Sequence, residues 1–562
     1  MLKRLLALCG MLWGLLCGSA GSLAQHQTAV FSPVFVNSAL PYRLELQETT
    51  FGTAAMPTLH SFSAAIHDGK WFLIAGRTNG LHDFTNSPST NFPEQYQNRD
   101  IWVIDPLTQQ SWSRSLEDVS SGLDANEIAS LTPTNQQFTH IGDRLYITGG
   151  YGVPGSGNGF TTFDTLSAID LDGMIDWVVT GTGQAADHIR QLSDPIFKIT
   201  GGAMYEIDGR THLVFGQDFT GGYIPGKTGA YSEQVRSFDI VDNGTTLSVT
   251  NATTTPQVAA YHRRDLNVYP VVKPGIGGSV EEGLTVLSGV FTPDTGVWTV
   301  PVEIDQSGLP TMADPLAVGT FKQAMNQYHS AKVGLYSAAQ GAMHELLLGG
   351  ITLKTYDEGS GTFVQDDDMP FTSQATSVVV DSSGNYSQHL IGAYPELFDT
   401  ESNLLRFGAN GEFFLAPGIA TYDNGVIDLD LLHGETVVGY VFGGIVSNAP
   451  HVRDVEGAMS SASNRIFEVV ISLLDGDYDR NGMVDGLDLA LWQSSYGTSV
   501  APGSYADGNA NGLIDGEDFL IWQRNVAATF ASNLAVPEPA TWLLLVGCAL
   551  ICSCRRRRQA KV

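Results

Sequence analysis

The sequence predicts an all-β body of short strands repeated around a common plan, followed by a small α-helical module, and three observations carry this. The chain has 62 glycines in 562 residues, above the ~7 % of average proteins, and only 16 % charged residues against ~25 %. From Val34 to residue 472, apolar strands ending in glycine recur while helical periodicity is scarce. Between residues 475 and 525 one pattern of acidic and amide side chains occurs twice, each time running into an apolar stretch.

The glycine-ended strands are Trp71 to Gly76, Leu145 to Gly150, Leu213 to Gly216, Leu284 to Gly289, Leu346 to Gly350 and Tyr440 to Gly444. Tight turns precede several of them, as in Asp68-Gly69, Gly142-Asp143 and Asp208-Gly209, because glycine supplies the positive φ of a hairpin. A second type of strand follows in Ile101 to Asp105, Ser167 to Asp170, Val235 to Asp239 and Arg465 to Val469. Trp112, Trp177 and Trp298 then mark an expected outer strand. That order of glycine-ended, aspartate-ended and tryptophan strands resembles kelch blades. The resemblance implies a β-propeller over residues 34–472, with six blades, or seven if the long interval from Gly350 to Gly444 hides a degenerate one. Tyr42 to Leu46 would then close the ring by pairing into the last blade, and a pair of β-sandwiches is the alternative architecture.

Three histidines, His60, His262 and His329, fall where innermost strands are expected, with Arg263 and Tyr328 beside them. If first strands converge on the axis, these side chains form a polar site able to hold a ligand, an acidic sugar or a divalent metal. The plainer reading is that each histidine satisfies neighbouring carbonyls.

Residues 475–526 carry the sharpest motif. Asp477, Asp479, Asn481, Gly482, Asp485 and Asp488 occupy positions 1, 3, 5, 6, 9 and 12 of a calcium loop, and Asp507, Asn509, Asn511, Gly512, Asp515 and Asp518 repeat it. Calcium takes six to eight hard oxygens, and this spacing offers side chains at alternate positions with backbone carbonyls from Met483 and Leu513. Aspartate at position 12, without a helix before either loop, resembles a dockerin. The resemblance implies two calcium ions and docking to a cohesin-like partner; Gly486-Leu487 and Gly516-Glu517 depart from the Ser-Thr pair of cellulosomal members, so a calcium-stiffened stalk is the other reading.

Both ends read as addresses. Lys3 and Arg4, an apolar run from Leu5 to Cys17, and Ser22-Leu23-Ala24 form a signal peptide over residues 1–24, with cleavage after Ala24. Beyond a linker at 527–536, Pro537-Glu538-Pro539, an apolar stretch from Ala540 to Cys554 and Arg555 to Arg558 make up residues 537–558. This resembles a PEP-CTERM sorting signal, and the resemblance implies processing by an exosortase and display on the surface or matrix of a Gram-negative-type bacterium. The span is short for a permanent anchor, about 22 Å against a hydrocarbon core of ~30 Å.

Composition excludes several functions. With 29 basic and 59 acidic residues the formal charge is -30, which lacks the positive field needed for nucleic acid. Cys9, Cys17, Cys548, Cys552 and Cys554 all lie in the two ends, so the body contains no disulfide, thiolate metal site or cysteine nucleophile. Copper radical oxidases also use propellers, but their cross-linked tyrosine–cysteine cofactor cannot form here. Two functions remain: an exported surface or matrix protein that binds a polysaccharide or protein partner, or an extracellular carbohydrate-active enzyme carried by the dockerin-like module.

Overall fold

The computed structural model describes residues 40–529 apart from 53, 158, 276–278, 294–295 and 452–458. Ala24 and the Pro537-Glu538-Pro539 segment, with the signal and tail readings, lie outside the described residues. Two compact units result, one built from Leu44–Ser472 and a smaller one whose described residues are 40–43 and 473–529.

The larger unit is a six-bladed propeller. Its first blade runs outward as Ser63–His67, Lys70–Ile74, Asp100–Asp105 and Gln110–Ser115, each strand antiparallel to the next. Five further sheets follow, with inner strands Gln137–Ile141, Ala203–Ile207, Asn267–Pro274, Ala331–Ser337 and Leu404–Leu415. In the sixth sheet, Leu404–Leu415, Glu435–Ser447 and Ile466–Leu473 are completed by Tyr42–Thr49 from the start of the chain. Pairing of the first and last strands of the propeller in one blade closes the ring and leaves few free edges.

All six glycine-ended segments are second strands. Both faces of each sheet pack against a neighbouring blade, so these strands are continuous apolar runs instead of alternating ones. Trp71 shows the consequence: it stacks on Phe414 of the sixth blade at 4.2 Å and is 1 % exposed. Each run ends in two consecutive left-handed residues, for example Phe215 (φ 51°) and Gly216 (φ 79°). A Cβ on Gly216 would lie 2.8 Å from the Thr200 carbonyl oxygen, and one on Gly350 would lie 2.8 Å from that of Tyr328. The glycines therefore let the end of each second strand press against the segment that enters the inner strand.

Two expectations are corrected, and of the two blade counts six stands. Trp112 does lie on an outermost strand, but Trp177 lies on a helix, Leu171–Thr180. Leu171, Met174, Trp177 and Val178 recur at helical spacing and all four are buried, Asp170 caps the start and Gly181 (φ 77°) ends it. Trp298 sits in the connection between Val280–Leu287 and Val302–Ile304, where its Nε1–H donates to the His262 carbonyl at 2.6 Å. The interval from Gly350 to Gly444 holds no seventh blade. Besides the fifth blade's own outer strands, Gln374–Val380 and Tyr386–Ala393, it holds the hairpin Lys354–Asp357 with Thr362–Gln365, the long inner strand of the sixth blade, and Ile427–Asp428 running parallel beside Ala331–Ser337.

The smaller unit contains two helices, Gly486–Ser495 and Gly516–Asn525, each preceded by a loop and each begun by a capping box on Asp485 or Asp515. Among the described residues no helix is long and apolar enough to cross a membrane.

Candidate functional site

One left-handed residue stands two positions before each of the first five inner strands, Ser61, Asn135, Gly201, Asp265 and His329, and a sixth, Asn410, stands within the sixth inner strand, Leu404–Leu415; their φ lies between 52° and 66°. These six positions link to one another through their backbones. Ser61 N–H donates to Asn410 (3.2 Å), Asn135 to Ser61 (3.4 Å), Gly201 to Asn135 (3.4 Å), Asp265 to Gly201 (2.7 Å) and Asn410 to His329 (2.7 Å). The ring marks a boundary on the axis. Ser61, Asn135, Asp265, His329 and Asn410 line both an upper cavity of about 180 Å³ and a channel of about 620 Å³ walled by the inner strands.

Side chains of the ring form a second circuit. Asp265 accepts from His329 Nε2 at 3.0 Å, His329 Nδ1 bonds Asn410 Oδ1, Asn410 Nδ2 donates to Ser61 Oγ at 2.8 Å, and Ser61 Oγ meets His60 Nδ1 at 3.0 Å. Both nitrogens of His329 are thus engaged. Burial would raise the Asp265 carboxyl, but Arg264 and His329 beside it outweigh that and hold it at about 2. Burial, reinforced by Arg77, pushes His60 down to about 3, so its imidazole is neutral at ordinary pH.

The walls of the upper cavity are aromatic. His82 packs within 4.5 Å of Tyr223 and 5.0 Å of Phe92, Phe92 meets Tyr151 at 5.3 Å, and Phe219 meets Tyr223 at 5.4 Å between ring centroids. Two arginines are set into this wall. Arg264 lies over Phe291 at 5.2 Å and bonds the Tyr223 hydroxyl at 3.2 Å, with Asp265 at 3.7 Å. Arg77 lies over Phe92 at 5.1 Å, donates to Asn79 Oδ1 at 3.0 Å and to the Pro93 carbonyl at 2.8 Å, and is 3 % exposed. At ~30 Å³ of liquid volume for each water, the cavity of about 180 Å³ has room for about six waters.

The structure brings together only part of the set singled out from sequence. His60, Tyr328 and His329 line the upper cavity, in the segments that lead into inner strands and not on the strands themselves. His262 does not line it: it stacks on Tyr231 at 3.7 Å and bonds Glu233 at 2.6 Å. Arg263 is fully buried over Trp298 at 4.6 Å and donates to the Val300 carbonyl at 2.8 Å, so its cation serves the core. The next residue, Arg264, lines the cavity instead. Asp265, Asn410, Arg77 and Arg264 were missed; the left-handed axial positions share a backbone conformation and no side-chain type, so residue identity carried no signal for them.

In the smaller unit, Asp477 and Asp488 are 1 % and 0 % exposed, as are Asp507 and Asp518 in the second loop. Asp477, Asp479 and Asp488 bring one carboxylate oxygen each within 4.8 Å of the others. Asp477 accepts from Gly482 N–H at 2.8 Å, and Asp507 accepts from Gly512 N–H at 2.7 Å, which wraps each loop around its first aspartate. Buried, converging carboxylates of like charge are a donor set that suits a hard divalent cation. Burial, with Asp488 adding to it, pushes the Asp477 carboxyl up to about 7. Asp479, Asn481, Asp485, Asn509, Asn511 and Asp515 fill the intermediate positions, and the position-seven residues Met483 and Leu513 bridge to Thr529 and Ser499.

Comparison with known families identifies one match, the PEP-CTERM protein-sorting motif at residues 535–558. No curated protein matches the chain. Among solved structures, one described as "Structure of YjhT" is similar over 75 % of this chain and 99 % of that one, with 10 % identity and a TM-score of 0.39. The sorting motif indicates export and cell-surface sorting in Gram-negative bacteria, and it implies exosortase processing of this six-bladed protein.

Proposed function

We propose that the protein is an exported cell-surface or matrix binding protein whose upper cavity receives one sugar residue of a polysaccharide. The observation that carries this reading is the pairing of an aromatic wall (Phe92, Tyr151, Phe219, Tyr223) with a floor of hydrogen-bonding side chains at the axis. Sugars present apolar C–H faces and polar edges, and such a pocket meets both. The cavity's histidines do not favour acid–base catalysis, because His329 has both nitrogens engaged and His60 is too weak a base at about 3, and the Asp265 carboxylate is held by Arg264 and His329. In this reading the blades are kelch-like and the C-terminal unit is a dockerin-like module holding two calcium ions, as a dock for a cohesin-like partner or as a stalk.

A glycan array with the purified protein, with and without calcium, tests the reading. Wild type is expected to retain a defined set of glycans, and Tyr223→Ala and Phe219→Ala to weaken them at least tenfold. Absence of any bound glycan, or unchanged binding in both variants, would overturn it.

A further inference from the structure

We infer that the upper cavity selects a sugar bearing an oxyanion, a carboxylate or a sulfate ester, and that Arg77 is the group that reads it. This inference rests on the glycan reading above and adds the chemical class of the ligand.

Arg77 is a buried cation without an anion. It is 3 % exposed, and among the described residues no carboxylate lies within ion-pairing distance of it. Its two recorded acceptors, Asn79 Oδ1 and the Pro93 carbonyl, are both neutral. A guanidinium carries five N–H donors, so the Nη1 pair and the second Nη2 hydrogen are left for a planar partner. Burial lowers the Arg77 pKa to about 10, and the Tyr151 hydroxyl offsets part of that. A charge desolvated in this way is costly until an opposite charge arrives, and oxyanions bind guanidinium through two parallel hydrogen bonds.

The other charges around the cavity do not fill that role. Asp265 is committed to Arg264 and His329. Asp367 and Asp368 line the cavity from its exposed rim, and Asp368 faces His451 at 3.8 Å. His60 and His82 are both pushed down, chiefly by burial, to about 3 and about 4, and stay neutral. The interior of the cavity is therefore locally positive within a protein of formal charge -30. A surface of that sign repels anions at long range, so an anion bound here is held by the short-range contact with Arg77 and not by steering.

Titration calorimetry on the full exported chain tests the inference with two matched pairs: glucuronate against its neutral methyl ester, and N-acetylglucosamine 6-sulfate against N-acetylglucosamine. At least one acidic member is expected to bind tenfold or more tightly than its neutral counterpart, and which one identifies the oxyanion. Arg77→Gln should erase that preference, read as the ratio of acidic to neutral affinity in the same variant, and Arg77→Lys should restore part of it. Equal binding of acid and neutral forms by wild type overturns the inference and leaves the glycan reading standing, and it does so without needing a variant that folds. A preference that survives Arg77→Gln also overturns it. If neither acidic nor neutral sugars bind, the glycan reading itself falls, and this inference with it.

Discussion

The side chain that decides most about the propeller is the missing one on its six glycines. Gly216 combines a φ of 79° with a would-be Cβ contact of 2.8 Å to backbone, so neither strain nor space tolerates a larger residue. Gly216→Ala is expected to lower unfolding free energy by about 2 kcal/mol or more, measured by denaturant titration, with the third blade loosening first. These glycines were legible in the sequence because one residue type answers one geometric demand. The axial ring was not. Ser61, Asn135, Gly201, Asp265, His329 and Asn410 share a backbone conformation and no side-chain chemistry, so nothing in their identities announces that they meet. Choosing histidines as markers therefore found His60 and His329 but also His262, which belongs to a different environment, and selected Arg263 where its neighbour Arg264 faces the cavity.

At the level of single elements, strand Ala342–Leu348 carries a buried carboxylate that makes stability depend on pH. Glu345 is fully buried, and burial pushes its carboxyl up from 4.5 to about 8. The folded state thus holds that proton more tightly than the unfolded chain. Its stabilising contribution is complete below about pH 4.5 and is lost as pH rises toward about 8, on the order of a few kcal/mol. Unfolding curves across that window should show the decline, and Glu345→Gln should flatten it. Helix Leu171–Thr180 shows where strand-based reading of the sequence failed: tertiary burial of four residues at helical spacing outweighed the expectation of a tryptophan strand. The two C-terminal loops read more directly because their order is local. Their packing was not visible, though: Trp492 Nε1–H donates to the Asp515 backbone carbonyl at 2.8 Å and Trp522 Nε1–H to that of Asp485 at 2.7 Å, so each helix buttresses the other loop. Calorimetry on the full chain is expected to show two calcium ions bound, and Asp477→Ala with Asp488→Ala to remove one. No calcium uptake would reject that assignment.

For the whole molecule, closure and export are the two organising facts. Tyr42–Thr49 completes the sixth sheet, a long-range pairing foreseen from the repeat alone because a ring needs its last blade finished. The number of blades was left between six and seven, since an insertion and a degenerate blade look alike until the strands are paired. The sorting motif at 535–558 implies that the surface-extracted protein ends near Pro539. Intact-mass measurement should therefore give a chain lacking Trp542 to Val562, whereas a mass retaining them would make the tail a plain anchor. Most directly, the central claim is tested by a crystal structure of the protein with its tightest-binding glycan. Density for one sugar residue is expected in the upper cavity, packed on Tyr223 and Phe219 above the axial ring. A glycan seated elsewhere, in the lower channel or on the C-terminal unit, with the upper cavity holding only water, would contradict it.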